Sequence, residues 1–379
     1  MTSRPDAVVV GAGIVGAACA HALASEGLLV TVLEQGVVGG GATAAGMGHV
    51  VVIDEPQGEL ELTLASRKAW DALAPSLPAS GERLLCGTLW IATDAEEMEA
   101  ARAKQRRLAS RGVVAELLDA RATAKLEGHL AKSVIGSLRV PEDGVVYPPP
   151  IAKWLLEEAR ATLRTGVGVR EIRDGEVVLE DGERISARFV VVAAGLASKK
   201  LVPGLPLRAR KGHLVITERY PGLLRHQIVE LGYIKNAHGN ARESVAFNVQ
   251  PRPSGQILVG SSRQFDVEDP AVEPRMLDRV LERALRFMPI LADVKAIRAW
   301  TGFRAATPDG MPLIGPLPRL PRVILATGHE GLGITTSLGT AELVAAHVLG
   351  RAPVLDPTPY LPARFPELAS RAREESDPR

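Results

Sequence analysis

Three glycines at fixed spacing, set between two apolar runs, constrain this chain more than any other feature. Ala7-Val-Val-Val10 has the continuous apolar character of a strand buried on both faces. It runs straight into Gly11-Ala12-Gly13-Ile14-Val15-Gly16. Apolar residues then recur at helical spacing as far as Leu23, Gly27 stops that helix, and Leu29-Val-Thr-Val-Leu-Glu34 forms a second strand ending in an acid. The order strand, glycine turn, helix, strand predicts a βαβ unit that binds an adenine dinucleotide. Gly11 permits the tight turn, Gly13 lets the backbone approach a pyrophosphate, and Gly16 lets the helix pack on the strand. Free N–H groups at the helix start face the phosphates, and Glu34, with Gln35 beside it, accepts hydrogen bonds from a ribose.

Residues 7–25 carry no Asp, Glu, Lys or Arg, which raises the alternative of a secretory or membrane segment. His21, the three glycines and the immediate continuation into a strand argue against it, so we expect no targeting signal and no transmembrane segment. Hydrophobic content of 46% and charged content of 23% are ordinary for a soluble globular protein, and 379 residues suffice for one large domain or two intertwined ones. A net charge of +1 advertises no surface for nucleic acid. Cys19, on the first helix and expected in the core, and Cys86 have neither disulfide nor metal spacing. We therefore expect no metal, no iron–sulfur cluster and a reducing, cytoplasmic compartment.

After Glu34, Gly39-Gly-Gly-Ala-Thr-Ala-Ala-Gly-Met-Gly-His49 is a run of small residues whose backbone can pass close to a flat cofactor. A β-rich stretch is expected over 49–53, helices over 59–74 and 95–111, and a strand over 84–92. The second of those helices carries Arg102, Lys104, Arg106 and Arg107 balanced by Glu96, Glu97 and Glu99, and reads as a solvated face. Tyr147-Pro-Pro-Pro150 reads as a rigid connector before a helix from 151 to about 163. Hairpin turns at Asp174-Gly175 and Asp181-Gly182 lead to Phe189-Val-Val-Val-Ala-Ala194-Gly195. This run matches the first strand in character, which places both in one parallel sheet. Residues 207–265 change to strands separated by Gly, Pro and Asn, an antiparallel region, and 276–287 form an amphipathic helix. The end returns to strand and helix: 323–326, the turn Thr327-Gly-His-Glu-Gly-Leu-Gly-Ile-Thr335, and a helix closed by Gly350. The polar residues 366–379 are expected to fray.

Four pieces now stand together: the glycine turn with Glu34, the Gly-Ala-Thr-Ala-Ala-Gly-Met loop, Val-Val-Ala-Ala-Gly195, and Gly302-Phe-Arg-Ala-Ala-Thr-Pro-Asp-Gly-Met-Pro-Leu-Ile-Gly315 with Gly328-His-x-Gly-x-Gly333. Over nearly the whole chain this resembles the FAD-dependent amino acid oxidase family, which holds glycine oxidase, sarcosine oxidase and D-amino acid oxidase. Within it, Met47-Gly-His49, Phe247-Asn-Val-Gln-Pro-Arg252 and Val259-Gly-Ser-Ser-Arg-Gln264 are most similar to the flavin subunits of hydrogen cyanide synthase, opine oxidase and bacterial D-hydroxyproline dehydrogenase. The resemblance implies an α/β fold. A Rossmann-type FAD-binding domain would be assembled from 1–82, 140–205 and 305–365. A second, α+β substrate domain, built on a large antiparallel sheet, would use 83–139 and 206–304. Gly302 stands where sarcosine oxidase carries the cysteine of a covalent flavin, so noncovalent FAD is implied. Gly11, Ala12, Gly13, Ile14, Val15 and Gly16 would hold the pyrophosphate. Ala42, Thr43, Gly46, Met47, Gly48 and His49 would run along the ribityl chain and ring, and Val169 would meet the adenine by its backbone. Ala194, Gly195, Gly302 and Arg304 would lie near the flavin. Gly328, His329, Gly331, Leu332, Gly333, Ile334 and Thr335 would bring the start of the last helix to its pyrimidine side, where helix N–H groups stabilise negative charge.

The reaction implied is oxidation of a carbon–nitrogen bond beside a carboxylate, by hydride transfer to flavin N5. Arg304 matches the family's carboxylate-binding arginine, and a guanidinium fork suits that task because two parallel hydrogen bonds fix the carboxylate plane. Asn248 replaces a carboxylate-binding tyrosine of glycine oxidase. Arg263, if it faces the pocket, suits a polar or doubly anionic substrate, and His49 would meet the amine. The implied substrate is D-hydroxyproline, then D-proline. Glycine/sarcosine-type oxidase and a subunit of opine oxidase are alternatives, and an NAD-dependent dehydrogenase is a remote one. Companion redox subunits or a homo-oligomer are implied as partners.

Overall fold

The computed structural model describes residues 4–232 and 242–368, and the first apolar run, Ala7–Val10, lies inside a six-stranded sheet. The strands follow the order Leu313–Leu317, Leu320–Thr327, Phe189–Val192, Ala7–Val10, Val30–Glu34 and Thr162–Thr165. Neighbours are parallel except for the hairpin of the first two. Ala7 pairs with both Phe189 and Val30, so the two matching apolar runs share one parallel sheet, as expected, and are neighbours in it. Their continuous apolarity has a direct cause. Ala7 and Val9 face a core shared with helices Ile14–Ser25, Pro148–Glu158 and Gly333–Leu349. Val8 and Val10 face the opposite core, built with the antiparallel strands Val169–Arg173 and Glu176–Leu179. Neither face of the strand meets water. Cys19 is fully buried in the first helix.

The second sheet has eight strands in the order Ala296–Ala306, Arg208–Arg219, Gln256–Phe265, Glu243–Pro251, Gln227–Glu230, Thr88–Ala92, Gly136–Val140 and Glu116–Asp119. It is antiparallel apart from one parallel pair, Gln227–Glu230 beside Thr88–Ala92. Helix Pro274–Phe287 lays Met276, Val280, Ala284 and Phe287 on its face, and Phe287 stacks on Phe247 at 5.0 Å between ring centres.

Several boundaries differ from the sequence expectation for identifiable reasons. The helix expected from 151 to 163 is Pro148–Glu158. Proline is tolerated in a first turn, where its missing N–H would be unpaired anyway. Arg160 then turns the chain at φ +48, and Thr162–Thr165 is a strand. The strand expected over 84–92 is Thr88–Ala92, because Gly87 at φ +69 breaks the extended chain before it. The stretch 49–53 contributes only His49–Val50, paired with Gly144–Val145. The helices over 59–74 and 95–111 are Gln57–Leu73 and Ala95–Ala109. The latter is not simply a solvated face. Lys104 is 1% exposed, forms an ion pair with Asp54 and sits 4.2 Å over the Trp90 ring, while Arg107 bonds the same carboxylate at 2.6 Å. Residues 366–368, expected to fray, form a turn with Leu368 fully buried; 369–379 lie outside the described residues. No helix among the described residues is long and apolar enough to cross a membrane.

Candidate active site

At the glycine turn the chain has no room for side chains. A Cβ on Gly16 would stand 2.0 Å from the Gly11 carbonyl oxygen, and one on Gly11, at φ +103, would stand 2.6 Å from that of Ala193. Helix Ile14–Ser25 starts at Gly13 with no capping side chain from that residue, although the Ile14 N–H donates to Thr43 Oγ1 at 3.0 Å. Such a helix start is a ready phosphate cradle. Glu34 Oε2 accepts from the Ala12 N–H at 2.8 Å, and Oε1 from the Gly36 N–H at 2.7 Å. The carboxylate therefore braces the turn. Having about four acceptor positions, it keeps about two beyond these bonds. Gln35 and Ala42 are exposed, and Val169 heads the strand paired with Glu176–Leu179. The donors, the acceptor and the cleared backbone fit an adenine dinucleotide.

A separate cavity of about 610 Å³ opens between the small-residue loop and the eight-stranded sheet. Ala42, Gly46, Met47, His49, Asn248, Arg263, Gly302, Arg304, Gly331 and Leu332 all line it. Four distant stretches of sequence thus meet there. The loop fits because glycines clear its path: a Cβ on Gly302 would lie 2.5 Å from Ala45 Cβ, and one on Gly48, at φ +90, 1.9 Å from the Val146 carbonyl oxygen. Gly11, Gly13, Val15, Gly16, Glu34, Val169, Ala194, Gly195, Gly328, His329, Gly333, Ile334 and Thr335 are not on the cavity wall. Some of these brace it. The Thr335 hydroxyl donates to the His49 carbonyl at 2.8 Å, and that of Thr327 to the Gly195 carbonyl at 3.0 Å. His329 is turned onto the helix that follows it, Gly333–Leu349, with Nε2 3.0 Å from Thr340 Oγ1, and burial lowers it to about 4, so it is neutral.

Three adjacent strands give the cavity its charge. Arg304 on Ala296–Ala306 is directly opposite Arg210 on Arg208–Arg219, and Arg210 is opposite Phe265 on Gln256–Phe265. Arg263, two residues from Phe265, shares their face because side chains alternate along a strand. Gly302 and Gly212 form the next cross-strand pair on that face. Gly212 makes room for the arginine: a Cβ there would stand 2.9 Å from Arg304 Nη2. Arg304 Nη1 donates to the Ser262 carbonyl at 3.2 Å. Arg210 is held by Glu330 at 2.8 Å and lies 4.4 Å over the Phe265 ring. Like charges opposite one another destabilise a sheet, so this face requires an acid. Burial alone would raise the Glu330 carboxyl, but the guanidiniums of Arg263, Arg304 and Arg210 hold it at about 2. Glu59, in the first turn of Gln57–Leu73, also lines the cavity. Burial and the charge of Glu330 push its carboxyl up to about 8, against the pull of Arg263, so it is mainly protonated at neutral pH.

On the opposite wall a hydrogen-bonded chain runs outward from a buried acid. Thr88 Oγ1 donates to Asp143 Oδ2 at 2.6 Å and accepts from Gln227 Nε2. Gln227 Oε1 is 2.6 Å from His49 Nδ1, and His49 Nε2 is 3.2 Å from Asn248 Nδ2. If Nδ1 carries the proton, every member of the chain has a matched donor or acceptor. Burial lowers His49 to about 4, with Arg304 acting in the same direction and the Gln227 bond against it. His49 is therefore a neutral ring with both nitrogens engaged, and it orients Asn248. The Asn248 Oδ1 is buried without a partner among the described residues.

Sequence reasoning named Arg304, Arg263, Asn248 and His49 but missed Arg210, Glu59, Glu330 and Gln227. A signal existed for two of them. Glu330 lies within the Gly328–Gly333 turn, and Arg210 alternates with Gly212 on a strand.

The fold has known counterparts. Residues 6–347 match the family model described as FAD dependent oxidoreductase. A glycine oxidase of Pseudomonas aeruginosa is 29% identical over 94% of this chain and 98% of its own. An opine oxidase subunit of Agrobacterium tumefaciens is 28% identical over 90% of this chain and 93% of its own. The crystal structure of glycine oxidase from Geobacillus kaustophilus superimposes with a TM-score of 0.86 at 25% identity, covering 96% of this chain and all of that one. With a family match that reaches from the glycine turn to the last helix, the chain belongs to the FAD-dependent oxidoreductases.

Proposed function

We propose that this enzyme oxidises the carbon–nitrogen bond of an amino or imino acid whose carboxylate is held by Arg304. The observation that carries this reading is the placement of Arg304. Its guanidinium lines the cavity, is fixed by the Ser262 carbonyl and is given space by Gly212. FAD, when bound, supplies the two-electron acceptor, and the turn at Gly11–Gly16 with Glu34 would hold it, without a covalent link because position 302 is glycine. The chain's own residues bind and orient. Arg304 fixes the carboxylate, and Asn248 Oδ1, lacking a partner among the described residues, accepts from the substrate nitrogen. Burial keeps His49 and His329 neutral near pH 7. D-Hydroxyproline and then D-proline lead the substrates to be tested, followed by glycine, sarcosine and opines. The relative that is itself one subunit of an opine oxidase supports a companion chain as partner. The eight-stranded sheet supports assigning 83–139 and 206–304 to substrate binding, with the remaining segments up to 365 holding FAD.

The test is anaerobic bleaching of the flavin across D-, L- and N-alkyl amino acids, imino acids and opines. One of these classes is expected to bleach it, and a protein that none of them reduces would refute the reading. The purified protein should be yellow and should release free FAD on acid or heat; flavin retained on the denatured chain would contradict noncovalent binding. Glu34→Ala should weaken FAD binding by about 1–3 kcal/mol, the scale for losing a charged hydrogen-bond partner. An unchanged FAD dissociation constant would remove Glu34 from the cofactor site.

A further inference from the structure

The hydrogen-bonded chain on the wall opposite Arg304 can run in only one direction, and the residue that sets the direction stands behind the wall. Asp143 is fully buried and does not line the cavity. Its Oδ1 faces two donors, the Val52 N–H at 3.2 Å and Arg67 Nη1 at 3.7 Å, and its Oδ2 faces the Thr88 hydroxyl. Burial pushes the carboxyl up to about 6, against the Thr88 bond, Arg67 and the Val52 N–H, so it is mainly ionised at pH 8. A carboxylate only accepts. The Thr88 proton is therefore committed to Asp143, and the Thr88 oxygen is left to accept from Gln227 Nε2. That bond fixes the amide of Gln227, whose Oε1 meets His49 Nδ1. An amide oxygen also only accepts, so Nδ1 carries the His49 proton. In the neutral ring Nε2 is then an acceptor, Asn248 turns Nδ2 to it, and Oδ1 is left over. The backbone holds these members in place. Thr88 pairs with Gln227 on the neighbouring strand, and Asn248 pairs with Val229 on the next. The ladder of His49–Val50 with Gly144–Val145 ties the histidine to the residues that follow Asp143.

We propose that Asp143, Thr88 and Gln227 are positioning residues: through the tautomer of His49 they turn the oxygen of Asn248, and not its NH2 group, toward the cavity. The benefit to the substrate rests on the reading that Asn248 contacts its nitrogen. An amine or ammonium arrives as a donor, and NH2 in that place would set donor against donor. An asparagine side chain alone has no such preference, because its two ends are nearly the same size and a half-turn exchanges them. The chain can also be inverted. In Asp143→Asn the amide oxygen keeps the two donors, the Val52 N–H and Arg67, and its NH2 faces Thr88. Thr88 then accepts from position 143 and donates to Gln227. Gln227 turns its NH2 to His49, the ring adopts the Nε2–H tautomer, and Asn248 presents NH2 to the cavity.

The experiment uses FAD-loaded protein with nitrogen-15-labelled histidine at pH 8. It reads the His49 tautomer from its ring-nitrogen resonances, identified by their loss in His49→Gln. Wild type should show the Nδ1–H form and Asp143→Asn the Nε2–H form. Thr88→Val, which cuts the chain but keeps its shape, should give a mixture, and Thr88→Ser should restore the wild-type form. The threonine pair decides the matter if Asp143→Asn does not load FAD. A wild type in the Nε2–H form, or a tautomer that none of these variants moves, overturns the proposal. The second readout is the binding of N-methylglycine and methoxyacetate, which share a skeleton but offer Asn248 an N–H donor and an ether acceptor. Their dissociation constants come from the half-saturation of anaerobic flavin reduction or from perturbation of the flavin spectrum. The preference for the amine should fall about five- to a hundred-fold in Asp143→Asn, the range for leaving one buried partner unmatched. Purely structural damage would weaken both ligands together and leave the preference as it was. The two readings fail separately. If the tautomer switches and the preference stays, the positioning chain stands and the contact of Asn248 with the substrate nitrogen is wrong. If N-methylglycine reduces the flavin and the tautomer does not respond, the chain is wrong and the amine oxidation stands.

Discussion

Arg304→Ala is expected to lower kcat/KM for the best substrate by something on the order of thirty-fold to several thousand-fold. This corresponds to the roughly 2–5 kcal/mol lost when one partner of a buried, hydrogen-bonded charge pair is truncated. Alanine removes both the charge and the fork. Lysine keeps the charge but loses the two parallel donors, so Arg304→Lys should recover only part of the activity. FAD content should stay near wild type in both variants, because Arg304 stands on the cavity wall and the dinucleotide turn does not. Removing Arg304 also leaves Glu330 with Arg210 and Arg263, so the face remains compensated and the fold should persist. The measurement is the rate of anaerobic flavin reduction at saturating FAD. A rate and half-saturation close to wild type would place the substrate's carboxylate elsewhere, with Arg263 the next candidate.

Gly16→Val is expected to abolish flavin binding. The first atom of any side chain at this position would lie 2.0 Å from the Gly11 carbonyl oxygen and 3.3 Å from Ala193 Cβ. The nearer obstacle is backbone in the very turn that approaches the pyrophosphate, so no rotamer change relieves it. Helix and strand must separate, at a cost at or above the roughly 1–3 kcal/mol typical of overpacking, and the cradle opens with them. Purified Gly16→Val should be nearly colourless, with a Tm several degrees below wild type. Gly128→Ala, where an added Cβ meets only the Ala124 carbonyl at 3.8 Å, should change neither property. A yellow Gly16→Val with an unchanged Tm would remove the steric reading of the turn.

What could be read in the chain, and what could not, follows from the range of the interactions. The first strand, helix and second strand were legible because glycines, apolar periodicity and the closing Glu34 lie within one short segment. The match between residues 7–10 and 189–192 was legible because burial on both faces leaves a compositional mark. Lys104 was misread because its helix balances its own charges locally, whereas its partner Asp54 lies 50 residues away. The start at Pro148 was misread because three prolines suggest a linker when only their absence from a helix interior is required. At the site, Arg304 stood out through its surrounding motif. Arg210, Glu59 and Glu330 acquire meaning only once three strands and a helix end are side by side, and no spacing along the chain encodes that.

The order of strands in the six-stranded sheet also governs how the protein comes to exist. Synthesis makes Ala7–Val10 and the glycine turn well before one of the strands that finally flank them. Their neighbour Phe189–Val192 follows only after Thr88–Ala92, Glu116–Asp119 and Gly136–Val140 of the other sheet, and Leu320–Thr327 with helix Gly333–Leu349 arrives later still. Contacts of such sequence separation form slowly, because the intervening chain must be closed into a loop before they bring any return. The apolar face of the first helix, which finally rests on Gly333–Leu349, therefore has no native cover while the ribosome is still working. Nascent chains are exposed to aggregation and chaperone capture throughout that interval. Cofactor uptake then waits on the late strands that complete the sheet around the glycine turn, and the yellow colour of a preparation should report that this sheet has closed.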